Sequence, residues 1–235
     1  MKATNCRGWK QPSGENSGTS GNDCLELNMT EVETNPFRDN PPGLTSLLNT
    51  SSVGITGAGG VGSNVAASLV RAGIGRLVIA DFDSVELPNL NRQFFFRDQI
   101  GYPKVEALKY NLELINPDAE VEIYTRLIDP ENACSIFADC DVLVEAVDRE
   151  ETKVMLLESW LRGLPGKPVF SCSGIAGFGK TDSIRVDRRK NLTIVGDQES
   201  ELSLGTLSAR VAIVAAMMAN EIIEYFYTEI DRGIK

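Results

Sequence analysis

The chain has 235 residues, of which 42% are hydrophobic and 24% charged, with a formal net charge of -10 and no histidine. That length supports one sizeable α/β core, and the absence of histidine excludes histidine-based acid–base chemistry, serine–histidine triads and histidine-ligated haem. The acidic balance argues against a broad nucleic-acid interface. No apolar run reads as the roughly 20 residues that span a bilayer, and Met1–Asn22 lacks the apolar stretch of a secretory leader, so a cytoplasmic protein without membrane contact is expected.

Residues 1–34 are rich in glycine, serine, asparagine and threonine and read as a disordered N-terminal tail, leaving 35–235 as the folded domain. A short amphipathic helix is expected within Pro42–Leu48. From Val53 the pattern alternates between strand and helix signals, which implies βαβ units and a parallel sheet. Val53–Thr56 reads as the first strand, and a helix opens at the following glycine turn and runs through Asn64 to Ala72. Arg76–Ala80 is a second strand. Pro103 suits the first turn of a helix with Val105, Leu108, Leu112 and Ile115 on one face, which Asn116-Pro117 stops. A strand at Val121–Tyr124, a short helix near Glu131–Phe137, a strand at Val142–Val147, a helix over 151–162 and a strand at Pro168–Cys172 follow. Ser183–Val186 and Leu192–Val195 read as a returning antiparallel pair, and Ser208–Tyr227 as a closing helix. The expected fold is α/β and Rossmann-like: a mostly parallel sheet with helices on both faces and an antiparallel extension near the C-terminus.

The run Gly57-Ala58-Gly59-Gly60-Val61-Gly62 follows a strand and opens a helix, the setting a nucleotide-binding turn requires. Glycines permit the sharp turn and the close approach of phosphate, and the exposed N–H groups of the helix start favour an anion. Asp81 ends the next strand, where a carboxylate bonds a ribose hydroxyl. The turn by itself admits NAD as readily as ATP. Downstream, Asn89, Asn91, Arg92 and Gln93 cluster amide and guanidinium groups where a parallel sheet opens its ligand crevice. Lys104 follows at the start of a helix, and Asp148 stands past the strand ending at Val147. Two cations and a carboxylate around one crevice suit a triphosphate with a divalent metal better than NAD.

These segments, GAGGVGS, DFDxVxxxNLNRQ, GxPKVEA and EAVD, together resemble the ThiF/MoeB/HesA family, relatives of the ubiquitin-activating enzymes, over about Pro41 to Tyr227. SGIAGFG at 173–179 and VGD at 195–197 resemble a compact ThiF-like subgroup. The resemblance implies an adenylyltransferase that uses ATP and Mg²⁺. Gly57, Gly59, Gly60 and Gly62 would hold the nucleotide, Asp81 the ribose with Asp83 beside it, and Asn89, Arg92 and Lys104 the phosphates. Gln93 would support that cluster, and Asp148 would help hold Mg²⁺. An arginine near the N-terminus, here Arg38, would reach the triphosphate of a partner subunit.

The five cysteines, Cys6, Cys24, Cys134, Cys140 and Cys172, form no CxxC pair, so the zinc site of many family members is not expected here. No cysteine follows Cys172, which sits inside a predicted strand as a small hydrophobe, so no covalent thioester step is expected. The acceptor implied is a ubiquitin-like sulfur carrier protein of the ThiS type, in thiamine or related sulfur metabolism. A carboxylate on a modified tRNA base is a second acceptor, disfavoured by the net charge. An NAD-dependent oxidoreductase and a non-catalytic binding module are the readings outside this class. The stripe Val211, Val214, Ala215, Met218, Ile222 and Phe226 on the last helix reads as core or dimer face, and the family habit implies a homodimer.

Overall fold

Leu77 and Ile79 point to one side of their strand and Val78 and Ala80 to the other, and this alternation builds two apolar cores on the two faces of one sheet. A computed structural model describes residues 35–231. The strands are β1 (Ser52–Thr56), β2 (Arg76–Ala80), β3 (Glu120–Tyr124), β4 (Val142–Glu145), β5 (Val169–Cys172), β6 (Arg185–Arg189) and β7 (Leu192–Gly196). They form a seven-stranded sheet in the order β3-β2-β1-β4-β5-β7-β6, parallel except that β6 runs antiparallel to β7. The helices are α1 (Leu44–Asn49), α2 (Gly60–Ala72), α3 (Lys104–Glu113), α4 (Ala133–Ile136), α5 (Glu150–Gly163) and α6 (Ser208–Asp231). All of these lie in the compact unit that begins at Phe37. The expected tail at 1–34, with Cys6 and Cys24, lies outside the described residues.

The larger core packs α1, α2, α3 and α6 against one face, and the smaller packs α4 and α5 against the other. In the smaller core Phe137 meets Trp160 edge to face at 5.6 Å, and the indole N–H of Trp160 donates to the Ala133 carbonyl at 2.9 Å. That hydrogen bond lets a fully buried indole satisfy its one polar group. The expected Rossmann-like architecture is therefore present, with helices on both faces and an antiparallel pair at one edge. From β1 the chain moves outward to β2 and β3, then returns to β4 on the other side of β1. This reversal opens a crevice outside the carboxyl ends of β1 and β4.

Several element ends differ from the sequence expectation: α3 ends at Glu113, short of Ile115, α4 is confined to Ala133–Ile136, and three further differences have a visible cause. β4 stops at Glu145 rather than Val147, because the Glu145 carboxylate accepts the Val147 N–H at 2.9 Å and turns the chain out of the ladder. β6 runs over Arg185–Arg189 rather than Ser183–Val186, since Thr181–Ser183 forms a 3₁₀ turn. Its charged run Asp187-Arg188-Arg189 is tolerated at the sheet edge, where only β7 pairs with it. Arg188 also clamps Glu221 of α6 with two bonds of 2.7 Å. Finally, α6 continues to Asp231, and by length and composition its segment Ser208–Thr228 could cross a membrane. The expectation that no such run exists is corrected here. Its stripe from Val211 to Phe226 is fully buried and α6 packs on α2, so the stripe is core of this chain and not a dimer face.

Candidate active site

The chain leaves β1 at Gly57 with φ +87°, a left-handed conformation that favours glycine, and a Cβ there would stand 2.6 Å from the Ala146 carbonyl oxygen. Gly62, inside α2, faces the Gly57 carbonyl so closely that an added Cβ would fall inside 3.0 Å of it. The turn is thus folded down onto its own helix. Gly59, the N-cap of α2, brings no side chain to cap the first N–H groups, which are left for an anion. The space above Gly59 is open, with the Gln93 amide nitrogen 3.9 Å from a Cβ placed there.

Residues 82–103 form a lobe over the crevice, closed at its base by bonds of 2.8 Å from the Val85 N–H to Tyr102 and from the Gly101 N–H to Val85, and of 2.9 Å from the Lys104 N–H to Asp83. The lobe is fastened to the glycine turn by two side chains of α2. Ser63 donates its hydroxyl to the Gly59 carbonyl at 2.6 Å and accepts the Phe94 N–H at 3.0 Å. Asn64 donates its amide to the carbonyls of Gly60 at 2.6 Å and Arg92 at 2.9 Å. Behind them a buried amide pair, Gln99 with Asn111, closes at 2.6 and 3.1 Å, and Asn111 also donates to the Phe94 carbonyl at 2.9 Å. These four residues escaped the sequence reading. The available signal was a polar pair, Ser63-Asn64, set directly after the glycines where an apolar face begins.

The fastening places Arg92 and Gln93 beside the turn, with Arg92 Cγ 3.5 Å from a Cβ placed on Gly60. The Arg92 guanidinium donates to the Asn91 side-chain oxygen at 2.8 Å and the Pro88 carbonyl at 3.3 Å. Gln93 Oε1 is buried with no hydrogen-bond partner among the described residues. This acceptor needs a donor, which the ribose hydroxyls or base amine of a nucleotide supply and its phosphates do not. Asn89 spends its side-chain oxygen on the Glu86 N–H at 2.9 Å, leaving its amide N–H₂.

Asp81 is buried at the end of β2 and accepts the Ala58 N–H at 2.7 Å and the Asp83 N–H at 2.8 Å. Burial raises its pKa above the ordinary carboxylate value, opposed by the nearby Lys104 ammonium and the two backbone N–H groups. Its oxygens retain lone pairs for a ribose hydroxyl. Lys104 is buried and pairs with the half-exposed Asp83 at 2.7 Å, which leaves two further N–H donors on the ammonium. Asp148 is exposed on the turn after β4, and its side chain makes no hydrogen bond or ion pair among the described residues. No group of three or more candidate metal ligands occurs among them. One free carboxylate suits Mg²⁺, which takes one or two carboxylates together with phosphate oxygens and water.

Arg38 is not brought to this site. It is exposed, 3.7 Å from Asp39, on the segment whose Asn40 donates to the Ala72 carbonyl at the far end of α2. That helix has 13 residues, so roughly 20 Å separates Arg38's segment from the glycine turn. Cys172 is buried, and burial pushes its thiol up to about 11, which removes it as a nucleophile at neutral pH.

The model of the ThiF family matches residues 37–233. Ubiquitin-like modifier-activating enzyme 5 of Drosophila ananassae is 48% identical over 77 residues, which are 33% of this chain and 19% of that protein. The same enzyme from Drosophila erecta is 40% identical over 119 residues, 47% of this chain and 30% of the relative. The chain therefore spans less than a third of the curated relatives it matches. Among solved structures, E. coli tRNA N6-threonylcarbamoyladenosine dehydratase in complex with ATP superposes with a TM-score of 0.76 at 21% identity, over 84% of this chain and 94% of that one. E. coli MccB with ATP gives 0.62 at 22% identity, over 78% and 57%. At these identities the structural likeness concerns the fold.

Proposed function

The chain belongs to the ThiF family, and on that premise we propose that it adenylates a carboxylate, the C-terminal glycine carboxylate of a ubiquitin-like, ThiS-type sulfur carrier protein, using ATP and releasing pyrophosphate, in thiamine or related sulfur metabolism. The observation that carries the proposal is the uncapped start of α2 with Arg92 beside it. The acceptor oxygen bonds to the α-phosphorus as the bond to the β-phosphate's bridging oxygen breaks, giving an acyl-adenylate and pyrophosphate. A carboxylate is ionised near neutral pH, so no general base is needed, which suits a chain without histidine. The work of the residues is then positioning and charge neutralisation. Asp81 orients the ribose. The α2 N–H groups, Arg92 and Lys104 receive phosphate charge, Lys104 by sharing its ammonium with Asp83. Asp148 would hold Mg²⁺, which when bound spreads the charge of the triphosphate.

The relatives' name, with its ubiquitin-like modifier, supports a ubiquitin-like partner. A homodimer belongs to the same proposal. The segment of Arg38 sits at the far end of α2 from its own turn, and the lobe exposes the large side chains Leu87, Phe96 and Tyr102, which a second copy would cover. The unpaired cysteines 134, 140 and 172 and the use of ATP fit a cytoplasmic setting. A tRNA-base carboxylate is the second reading, favoured by the dehydratase among the fold neighbours. ATP–pyrophosphate exchange distinguishes them. Exchange that depends on a Gly-Gly-ended carrier supports the proposal, exchange that depends on RNA moves the acceptor to tRNA, and failure to bind ATP removes the mechanism.

A further inference from the structure

Glu145 is fully buried at the end of β4, and the proposed chemistry gives it no task. Its Oε1 accepts the Val147 N–H at 2.9 Å, and its Oε2 accepts the Ser171 hydroxyl of β5 at 2.6 Å. The same Oε2 is paired with the Lys153 ammonium from the first turn of α5, and Lys153 also donates to the Cys172 carbonyl at 3.1 Å. One ion pair, its carboxylate fully buried and its lysine side chain 22% exposed, thus joins β4, β5 and α5 next to the turn 146–149. That turn bears Asp148 at its top, and its Ala146 carbonyl abuts Gly57. Ala146 is further held by its N–H to the Thr56 carbonyl at 2.9 Å. The pair therefore fixes the turn on the side away from the glycines, and the Thr56 bond fixes it on the near side.

Ion pairs that bury a charge are weak stabilisers relative to apolar residues of the same volume, so stability alone is a poor reason for a glutamate with no exposure in this position. We infer that Glu145 and Lys153 are positioning residues that set Asp148 against the glycine turn, so that their pairing governs how the protein takes a metal-bound triphosphate. The inference rests on the adenylation reading and deepens it. Groups that orient a metal-holding carboxylate typically change metal affinity or activity by about 10–100-fold when removed.

The test compares wild type, Asp148→Ala and the double variant Glu145→Gln with Lys153→Met, which removes both charges at similar volume. The single Lys153→Met leaves a buried carboxylate unpaired and is expected to fold poorly, so the double variant is the informative one. Thermal unfolding reports the fold, and calorimetric titration of ATP in Mg²⁺ and in EDTA reports the metal's contribution as a ratio of affinities. The double variant is expected to melt as a cooperative unit and to lose about tenfold of that ratio, approaching Asp148→Ala, with its EDTA affinity for ATP unchanged. A double variant that keeps the wild-type ratio, or that fails to fold, overturns the inference and leaves a structural pair. A wild-type protein that binds no ATP under either condition overturns the adenylation reading and this inference with it.

Discussion

Replacing Gly62 by alanine is expected to destabilise the protein, against the ordinary preference of helices. At an unhindered interior position alanine is favoured over glycine by about 1 kcal/mol. Here the added Cβ would sit within 3.0 Å of the Gly57 carbonyl oxygen, a backbone atom that cannot rotate away, with the Ala146 methyl 3.3 Å off. Forcing an extra carbon into packed surroundings costs about 1–3 kcal/mol, and a backbone neighbour puts this case at the upper end. The balance is a loss of about 2 kcal/mol, or roughly 4–8 °C in melting temperature for a domain of this size. Gly59→Ala is the control. Its Cβ meets only the Gln93 amide nitrogen at 3.9 Å, so stability should stay within about 0.5 kcal/mol of wild type. ATP affinity should nevertheless fall, because the methyl would occupy the space a phosphate needs above the start of α2. Urea denaturation and ATP titration of both variants measure the contrast. A Gly62→Ala protein as stable as wild type would refute the close approach, and a Gly59→Ala protein with full ATP affinity would refute the placement of the phosphate.

Arg92→Ala should lower carrier-dependent ATP–pyrophosphate exchange by about 10²–10³ while leaving the denaturation midpoint unchanged, since the guanidinium's hydrogen bonds are both at the surface. Arg210→Met should cost about 3–5 kcal/mol in urea denaturation, because Arg210 is the buried partner of Asp197 and donates to the Gly179 carbonyl at 2.7 Å. Burial pushes the thiols of Cys140 and Cys172 up to about 11 from 9.0. Between pH 9 and 11 the unfolded chain therefore binds fewer protons than the folded one, and stability should fall with rising pH by about 1.4 kcal/mol per unit for each thiol. Unchanged stability across that window, or rapid alkylation of either thiol in the folded protein at pH 8, would contradict their burial.

The order of elements was legible because strand and helix carry different apolar patterns: Leu77 to Ala80 form a short unbroken apolar run after Arg76, while Val105, Leu108 and Leu112 recur at helical spacing. The glycine turn and the Arg92 cluster were legible because their spacing follows from what a phosphate requires. The ends of β4 and β6 were misread, since each is set by side-chain or turn geometry that a hydropathy pattern does not contain. Glu145 looked like one more strand residue until its bond to the Val147 N–H was in view. Ser63 and Asn64 were silent for another reason. Their partners lie 31 and 28 positions away, a distance over which single residues leave no local pattern. Arg38 was read as reaching a partner subunit's triphosphate, and the place of its segment at the far end of α2, which keeps it from its own turn, is a matter of three-dimensional packing.

The last helix touches the first turn. A Cβ on Gly60 would lie 3.0 Å from Val211 of α6, and Asn91 reaches across 115 positions to the Thr206 carbonyl at 3.1 Å. Chain leaving a ribosome at about 5–20 residues per second would complete β1, the glycine turn and the Arg92 lobe many seconds before α6 exists. During that interval the part of α2 that α6 covers lies open. The nucleotide pocket is therefore completed only after its own turn and lobe, once α6 has been made. A nascent chain lacking α6 is expected to engage chaperones through α2 before it can engage ATP.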